Sequence, residues 1–283
     1  MNKKGLEYYL KSFKIRDENT DNCISLIQSN ISGGRITYEQ IDELKNHPNA
    51  IEILISGLTQ DTFDYFIENY GYQFKVIHFW KCPLISDFTK LEQLPNVEYL
   101  LFFWNQRVTH LWDLSKNIHL KGLSFDDFTR MHTLKEIPLA PALEELYFGD
   151  KVWNKYVLES LKPLCHAQKL ETLIFSAKKI DDNDINPLSK ICNLKNLEFP
   201  TNLFTTEQVA WLTANTTNIN SSVLAPYLKL KHPIDCDEII KDVLVIGKRK
   251  PFLNSKQDKT RLDKYKNNFY SLVKKYREEN NHG

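Results

Sequence analysis

Apolar residues recur along this chain in a hexad whose first, fourth and sixth places are filled mostly by Leu, Ile, Val or Phe. Eight hexads start at Ile51, Phe74, Val97, Leu120, Leu143, Leu170, Leu194 and Ile219, and read IEILIS, FKVIHF, VEYLLF, LKGLSF, LEELYF, LETLIF, LKNLEF and INSSVL. Successive starts lie 23, 23, 23, 23, 27, 24 and 25 residues apart. Alternation at the fourth and sixth places predicts a short strand in each. A period in the twenties predicts stacked units, each burying its apolar face only against its neighbours.

The segments between strands fall into two kinds. The middle ones place apolar residues at every third position: Ile85, Phe88, Leu91 and Leu94, then Val108, Leu111 and Leu114, then Met131, Leu134 and Ile137. That spacing predicts 3₁₀ or extended backbone. Later segments at Asp184 (DINPLSKI) and Thr206 (TEQVAWLTAN) start with capping residues and predict helices.

The flanks differ from the repeats. Leu6, Tyr9, Leu10 and Phe13 have helical spacing, and a second short helix is expected over Cys23, Leu26 and Ile27. After the turn at Ser32, Gly33 and Gly34, Thr37 and Gln40 have capping-box spacing ahead of a helix through Ile41 and Leu44. Residues 1–46 therefore read as a helical N-terminal cap. Beyond the last hexad, the stretch from Asp242 (DVLVIGKRKPFL) predicts a strand and a turn. Leu262, Tyr265, Phe269, Leu272, Val273 and Tyr276 share one face of a helix from Lys259 to Glu279. Residues 226–283 read as a strand-plus-helix C-terminal cap.

The hexad and its period resemble the leucine-rich repeat, whose strand segment is LxxLxL, over residues 47–225. The resemblance implies an α/β fold: a curved solenoid with a parallel concave sheet and a convex side of 3₁₀ turns and helices. The family's ninth place, usually Asn or Cys, holds Thr59, Cys82, Asn105, Phe128, Lys151, Lys178 and Asn202, so only Cys82, Asn105 and Asn202 fit. Solenoids of this kind are binding scaffolds more often than catalysts. In bacteria, proteins resembling this one often act as adaptors, inhibitors or immunity proteins.

Composition narrows the classes further. The chain is 42% hydrophobic and 26% charged, as ordinary globular proteins are. It has no apolar run long enough to span a bilayer and no apolar signal core after Met1, so a cytoplasmic address without membrane partners is expected. Five cysteines without a CxxC pair are expected to be reduced and mostly buried. The net charge of +1 hides a division along the chain. Residues 241–283 carry 12 Lys or Arg against 5 Asp or Glu, whereas residues 47–240 carry 18 against 24.

Strand alternation sends the third, fifth and seventh places to the concave face. Val76, Trp80, Tyr99, Leu101 and Phe103 then form one apolar patch, of a kind that usually marks a partner site when exposed. Either another protein covers it, or the chain's own N- or C-terminal helix does. A slip of one residue would reverse every face. The expected contact residues are Trp80, Tyr99, Phe103 and Tyr147 as anchors beside Leu101, with His78, Asp126 and Glu145 for polar specificity. Asp126, Asp127, Glu145 and Asp150 make an acidic edge that could steer a basic partner.

A second reading uses the basic C-terminal segment. Lys248, Arg249, Lys250, Lys256, Lys259 and Arg261 have the charge density to meet nucleic acid or another anionic partner. Catalytic chemistry is not signalled: eight scattered His form no HExxH, and no GxGxxG or P-loop is present. The acidic run at Asp181 (DDND) lacks the rest of a calcium loop and reads as a turn. No cofactor or metal is expected, and a monomer is favoured.

Overall fold

The computed structural model describes residues 4–15, 22–28, 34–150, 152–236 and 239–282. In chain order these form α1 (Leu6–Ile15), β1 (Cys23–Leu26), α2 (Tyr38–Asp42), β2 (Glu52–Ser56), α3 (Gln60–Asn69), β3 (Val76–Trp80), β4 (Tyr99–Asn105), β5 (Gly122–Phe128) and β6 (Glu145–Gly149). There follow β7 (Val157–Leu158), β8 (Thr172–Ser176), β9 (Lys179–Ile180), β10 (Asn196–Glu198), α4 (Thr206–Asn215), β11 (Tyr227–Cys236), β12 (Ile239–Val245), β13 (Phe252–Leu253) and α5 (Lys259–His282). Among the described residues, eight strands make one parallel sheet in the order β1-β2-β3-β4-β5-β6-β8-β10.

The register repeats from strand to strand, so equal places of the hexad stack. His78 pairs with Leu101, Leu101 with Ser124, Ser124 with Tyr147, and Tyr147 with Ile174. On the inner face the sixth place builds a phenylalanine ladder. Phe79 stacks on Phe102 at 5.0 Å, Phe125 on Phe148 at 5.4 Å and Phe148 on Phe175 at 5.3 Å between ring centres. Strand spacing of about 4.8 Å imposes this offset stacking on any aromatic repeated at one place.

The first hexad is shifted by one from its predicted register. Ile53 pairs with Ile77 and faces the core with Ile55, while Glu52, Leu54 and Ser56 take the concave places. Buried Ala50 holds the first place and Ile51 is exposed. Alternation within IEILIS sets Ile53 and Ile55 on one face and Glu52, Leu54 and Ser56 on the other, as found; the expectation differed because it took Ile51 as the first place of the hexad. The eighth hexad is also displaced: it contributes a single parallel bridge from Asn220 to Asn196. Its polar Asn220, Ser221 and Ser222 have little to bury, and only Val223 reaches the core among its last residues.

Cys23 to Leu26 form a strand paired with β2, not the expected short helix, so the sheet begins before residue 47. Cys23 and Ile24 bury on opposite faces, which is strand behaviour. The capping box at Thr37 and Gln40 starts α2 as predicted. On the convex side, 3₁₀ turns at Thr89–Gln93, Leu114–Lys116 and Ile137–Leu139 match the spacing of three. The Asp184 segment is 3₁₀ as well (Asn186–Lys190), with Pro187 near its start, rather than an α-helix. α4 is capped by Thr205 and Gln208, one residue earlier than expected. α3 carries its own capping box at Thr59 and Thr62.

At the far end β11, β12 and β13 form an antiparallel sheet, and α5 packs on α4 through Phe269 and Val273. β11 was not among the expected elements, and Pro233 lies within it. The register shift between Lys229 and Ile234 accommodates that proline.

Candidate functional site

α1 lies in the concavity. Leu6 and Tyr9 are buried there against Cys23, Leu54, Val76, Tyr99 and Leu101, with Leu10, Trp80 and Tyr147 at the margin. Gly122 makes this seating possible, because a Cβ there would come within 2.8 Å of the Leu6 Cγ. Polar contacts hold the entry to the helix. The Leu6 N–H donates to Glu145 Oε2 at 3.0 Å, the Tyr99 hydroxyl donates to the Lys4 carbonyl at 3.0 Å, and Lys4 Nζ lies 3.4 Å from Glu52 Oε1. The rings of Tyr9 and Tyr99 are 4.8 Å apart. Burial first, and then the Glu145 charge, push the Tyr99 phenol up. The same two causes push Tyr147 up to about 12.

Of the two helices that could cover the apolar patch, the N-terminal one does. Tyr99, Leu101 and His78 are 3%, 0% and 7% exposed, so they are not on the open surface of the folded chain. Glu145 is half-buried and engaged with the start of α1. Trp80, Phe103, Asp126 and Tyr147 remain half-exposed. The concave face is thus divided into a covered groove and an open strip.

The open strip runs along the ends of the strands. Trp80 pairs with Phe103 and Phe103 with Asp126, placing them side by side. Lys81 Nζ sits over the Trp80 ring at 4.5 Å. The next residue in each of three successive repeats is left-handed: Lys81 (φ 53°), Trp104 (φ 65°) and Asp127 (φ 59°). A left-handed tryptophan is strained, and such strain gathers at functional positions. Asp127 and Asp150, expected on an acidic edge, are buried instead. Asp150 accepts from the N–H groups of Val152 at 3.0 Å, Trp153 at 2.7 Å and Lys155 at 2.9 Å. Burial, then the Asp150 charge, push the Asp127 carboxyl up, against an opposing effect of the neighbouring Trp153 side chain. Asp150 pins a loop that presents Trp153 at 62% exposure.

The sequence reading missed Trp104 and Trp153. The second had a signal: the loop occupies the 27-residue repeat, the longest of the series. The basic residues form a different surface. Lys248, Arg249, Lys256, Lys259 and Arg261 are exposed, and Lys250 lies over the Tyr265 ring at 5.3 Å, which brings the β12–β13 turn against α5. Lys248 Nζ bonds Asn183 Oδ1 at 2.5 Å. The Asp181 run is a turn: Asp182 accepts from the Asp184 N–H at 3.2 Å and Asp184 from the Asn186 N–H at 3.0 Å. Among the described residues no cluster of His, Cys, Asp or Glu could hold a metal ion, and no helix is long and apolar enough to cross a membrane.

The ninth place explains part of the repeat's stability. Asn105 Nδ2 donates to the carbonyls of Cys82 at 3.1 Å and Ile85 at 2.9 Å, while its Oδ1 accepts from Arg107 N–H at 3.0 Å and Val108 N–H at 2.9 Å. The Cys82 thiol lies 3.9 Å from the Ile55 carbonyl, and burial pushes it up to about 12. Asn202, which fits the motif by sequence, is exposed. Asn117, outside the motif, bonds the carbonyls of Leu91 at 2.8 Å and Leu94 at 2.9 Å.

No protein-family model and no curated protein matches the chain. Among solved structures, internalin C2 of Listeria monocytogenes is 20% identical with a TM-score of 0.41, over 61% of this chain and 69% of its own. A leucine-rich-repeat protein of Leptospira interrogans is 16% identical with a TM-score of 0.42, over 69% and 53% respectively. An internalin of Listeria monocytogenes is 13% identical with a TM-score of 0.31, over 66% and 62%. The chain's own geometry carries the fold assignment: its period, its LxxLxL strand segment and its parallel sheet with hexad places in register are those of a leucine-rich-repeat solenoid.

Proposed function

We propose that this chain is a non-enzymatic protein-binding module whose contact surface is the open strip of the concave face. Trp80, Phe103 and Tyr147 anchor the partner, Asp126 adds polar specificity, and Trp104 and Trp153 extend the surface past the strand ends. The observation that carries this reading is the half-exposed aromatic row beside the strained Trp104. Tryptophan and tyrosine dominate interface energetics, and here a parallel sheet and a loop pinned by Asp150 present them with little ordering left to do. An adaptor, inhibitor or immunity-type role suits such a surface. A reducing compartment, the cytoplasm, suits Cys23, Cys82, Cys165 and Cys192, all unbridged thiols.

The test is capture from native lysate with mass-spectrometric identification, comparing wild type with Trp80→Ala/Phe103→Ala and with Trp153→Ala. Melting curves verify folding first. A protein retained by wild type and lost by both variants supports the reading; an unchanged set of partners contradicts it.

A second reading has its own support. Lys256, Lys259 and Arg261 surround the start of α5, where the helix dipole is also positive, and make no ion pair within 4.0 Å among the described residues. An anionic partner there would bind with an affinity falling steeply as salt rises.

A further inference from the structure

We propose that one edge of the solenoid binds single-stranded nucleic acid along a row of cations that the stacking places one per coil. The row follows the loops after the strands. Asn105 pairs with Phe128, so Arg107 and Arg130, each two residues farther on, stand on neighbouring coils. The next coil is joined to that one where His132 Nδ1 lies 2.7 Å from the Val157 carbonyl, and it presents Lys155. The Lys178 N–H donates to the Tyr156 carbonyl at 2.9 Å, which brings Lys178 onto the coil beside Lys155. Phe199 packs on Phe175 at 5.8 Å to form the last coil. There the Gly247 N–H donates to the Thr201 carbonyl at 2.8 Å and the Lys248 N–H to the Phe204 carbonyl at 2.9 Å. The row therefore runs Arg107, Arg130, Lys155, Lys178 and Lys248, all exposed, and ends in the C-terminal basic segment.

These cations are set apart from the others. Residues 47–240 carry more acids than bases, and lysines elsewhere on the coils are neutralised: Lys75 and Lys121 by Glu98, Lys162 by Asp182 and Lys195 by Glu171. Among the described residues, no member of the row lies within 4.0 Å of a carboxylate oxygen. Arg107 Nη1 reaches the Leu84 carbonyl at 3.5 Å and Lys248 Nζ the Asn183 Oδ1 at 2.5 Å, both neutral partners. Of the acids nearby, Asp181 pairs with Lys179, Asp127 and Asp150 are buried, and Glu159 is exposed beside the row. Coils repeat about every 4.8 Å, so one cation per coil suits a polymer with one charge per unit, as a nucleic-acid strand has. A single row meets a single backbone. Trp153, 62% exposed and two residues before Lys155, supplies a ring on which a base stacks, a feature that a run of carboxylates would leave unused. Trp80 and Phe103 take no part, so this site and the open strip stand or fall separately.

The test is fluorescence anisotropy of the full chain with labelled oligothymidylate and oligouridylate, and with polyglutamate of matched charge. Binding of either oligonucleotide is expected, with polyglutamate at least tenfold weaker. Four phosphate contacts give an affinity that falls roughly fiftyfold between about 50 and about 200 mM salt. Arg130→Glu/Lys178→Glu, two exposed sites whose melting curve verifies the fold, should weaken oligonucleotide binding at least tenfold, and Trp153→Ala about fivefold or more. Trp80→Ala/Phe103→Ala should leave it unchanged. No binding of either oligonucleotide would overturn the proposal, as would equal binding of polyglutamate, which would assign the row to an acidic protein. Full affinity in the Arg130→Glu/Lys178→Glu variant would overturn it too, by moving the contact to the cations at the start of α5.

Discussion

Replacing Asn105 by Ala should destabilise the chain out of proportion to its size. The side chain is buried and satisfies four main-chain groups, the carbonyls of Cys82 and Ile85 and the N–H groups of Arg107 and Val108. Arg107 is exposed and its N–H can turn to water. The other three stay inside, and each buried polar group left unpaired costs about 1–3 kcal/mol. Taking the lower part of that range gives a loss of roughly 4 kcal/mol. For a chain of this size that corresponds to a fall in Tm of about 8–16 °C. Urea denaturation followed by circular dichroism and tryptophan fluorescence measures it. Asn202→Ala is the control, since an exposed Asn should cost under about 0.5 kcal/mol. A loss below about 1 kcal/mol for Asn105→Ala, or an equal loss for the control, would refute the reasoning.

Three further outcomes follow from the same structure. Burial alone would raise the Glu98 carboxyl, but Lys121 at 2.6 Å and Lys75 at 3.1 Å hold it below its ordinary value. Its contribution is therefore complete above the unfolded value and lost as pH falls through the folded one. Glu98→Gln should cost up to about 1 kcal/mol at pH 7. That gap should close below about pH 4, measured by urea titration across pH. Asp127 has the opposite sign, with a raised carboxyl, so it weakens the fold at neutral pH and not in acid. Asp127→Asn, which tolerates the left-handed backbone, should melt higher at pH 7 and level with wild type at pH 3. Trp104→Asn should leave stability within about 1 kcal/mol of wild type, because relief of the left-handed strain offsets lost packing. Partner capture should nevertheless fall at least tenfold, because the ring that extends the contact surface is gone.

Much of this architecture was legible because the hexad states the same instruction repeatedly, and repeated Phe at the sixth place leaves one way to stack. Legibility failed where local residues allowed two readings. In IEILIS the apolar Ile51 invited alignment as the first place, whereas pairing of Ile53 with Ile77 puts buried Ala50 there. Cys23 to Leu26 carry too few apolar residues to separate strand from helix, and pairing with β2 decided it. For the site, the patch itself was visible, and so was the amphipathic helix of Leu6, Tyr9 and Leu10. Their meeting was not, because it depends on Gly122 and Glu145, on the fifth and sixth strands of the sheet and far from α1 in sequence. Trp104 was hidden for a different reason: nothing in a one-dimensional pattern marks a left-handed backbone at a bulky residue.

The division of the concave face into a covered groove and an open strip can be tested on Cys23, whose thiol lies in the groove beneath α1. Native full-length protein is labelled with a small maleimide and the sites are resolved by mass spectrometry. Exposed Cys192 should label at once and buried Cys82 hardly at all. The account predicts that Cys23 labels slowly in wild type and at least tenfold faster in Leu6→Asp, with Cys82 unchanged. Cys23 labelling as fast as Cys192 in wild type, or at the same rate with and without Leu6, would contradict it.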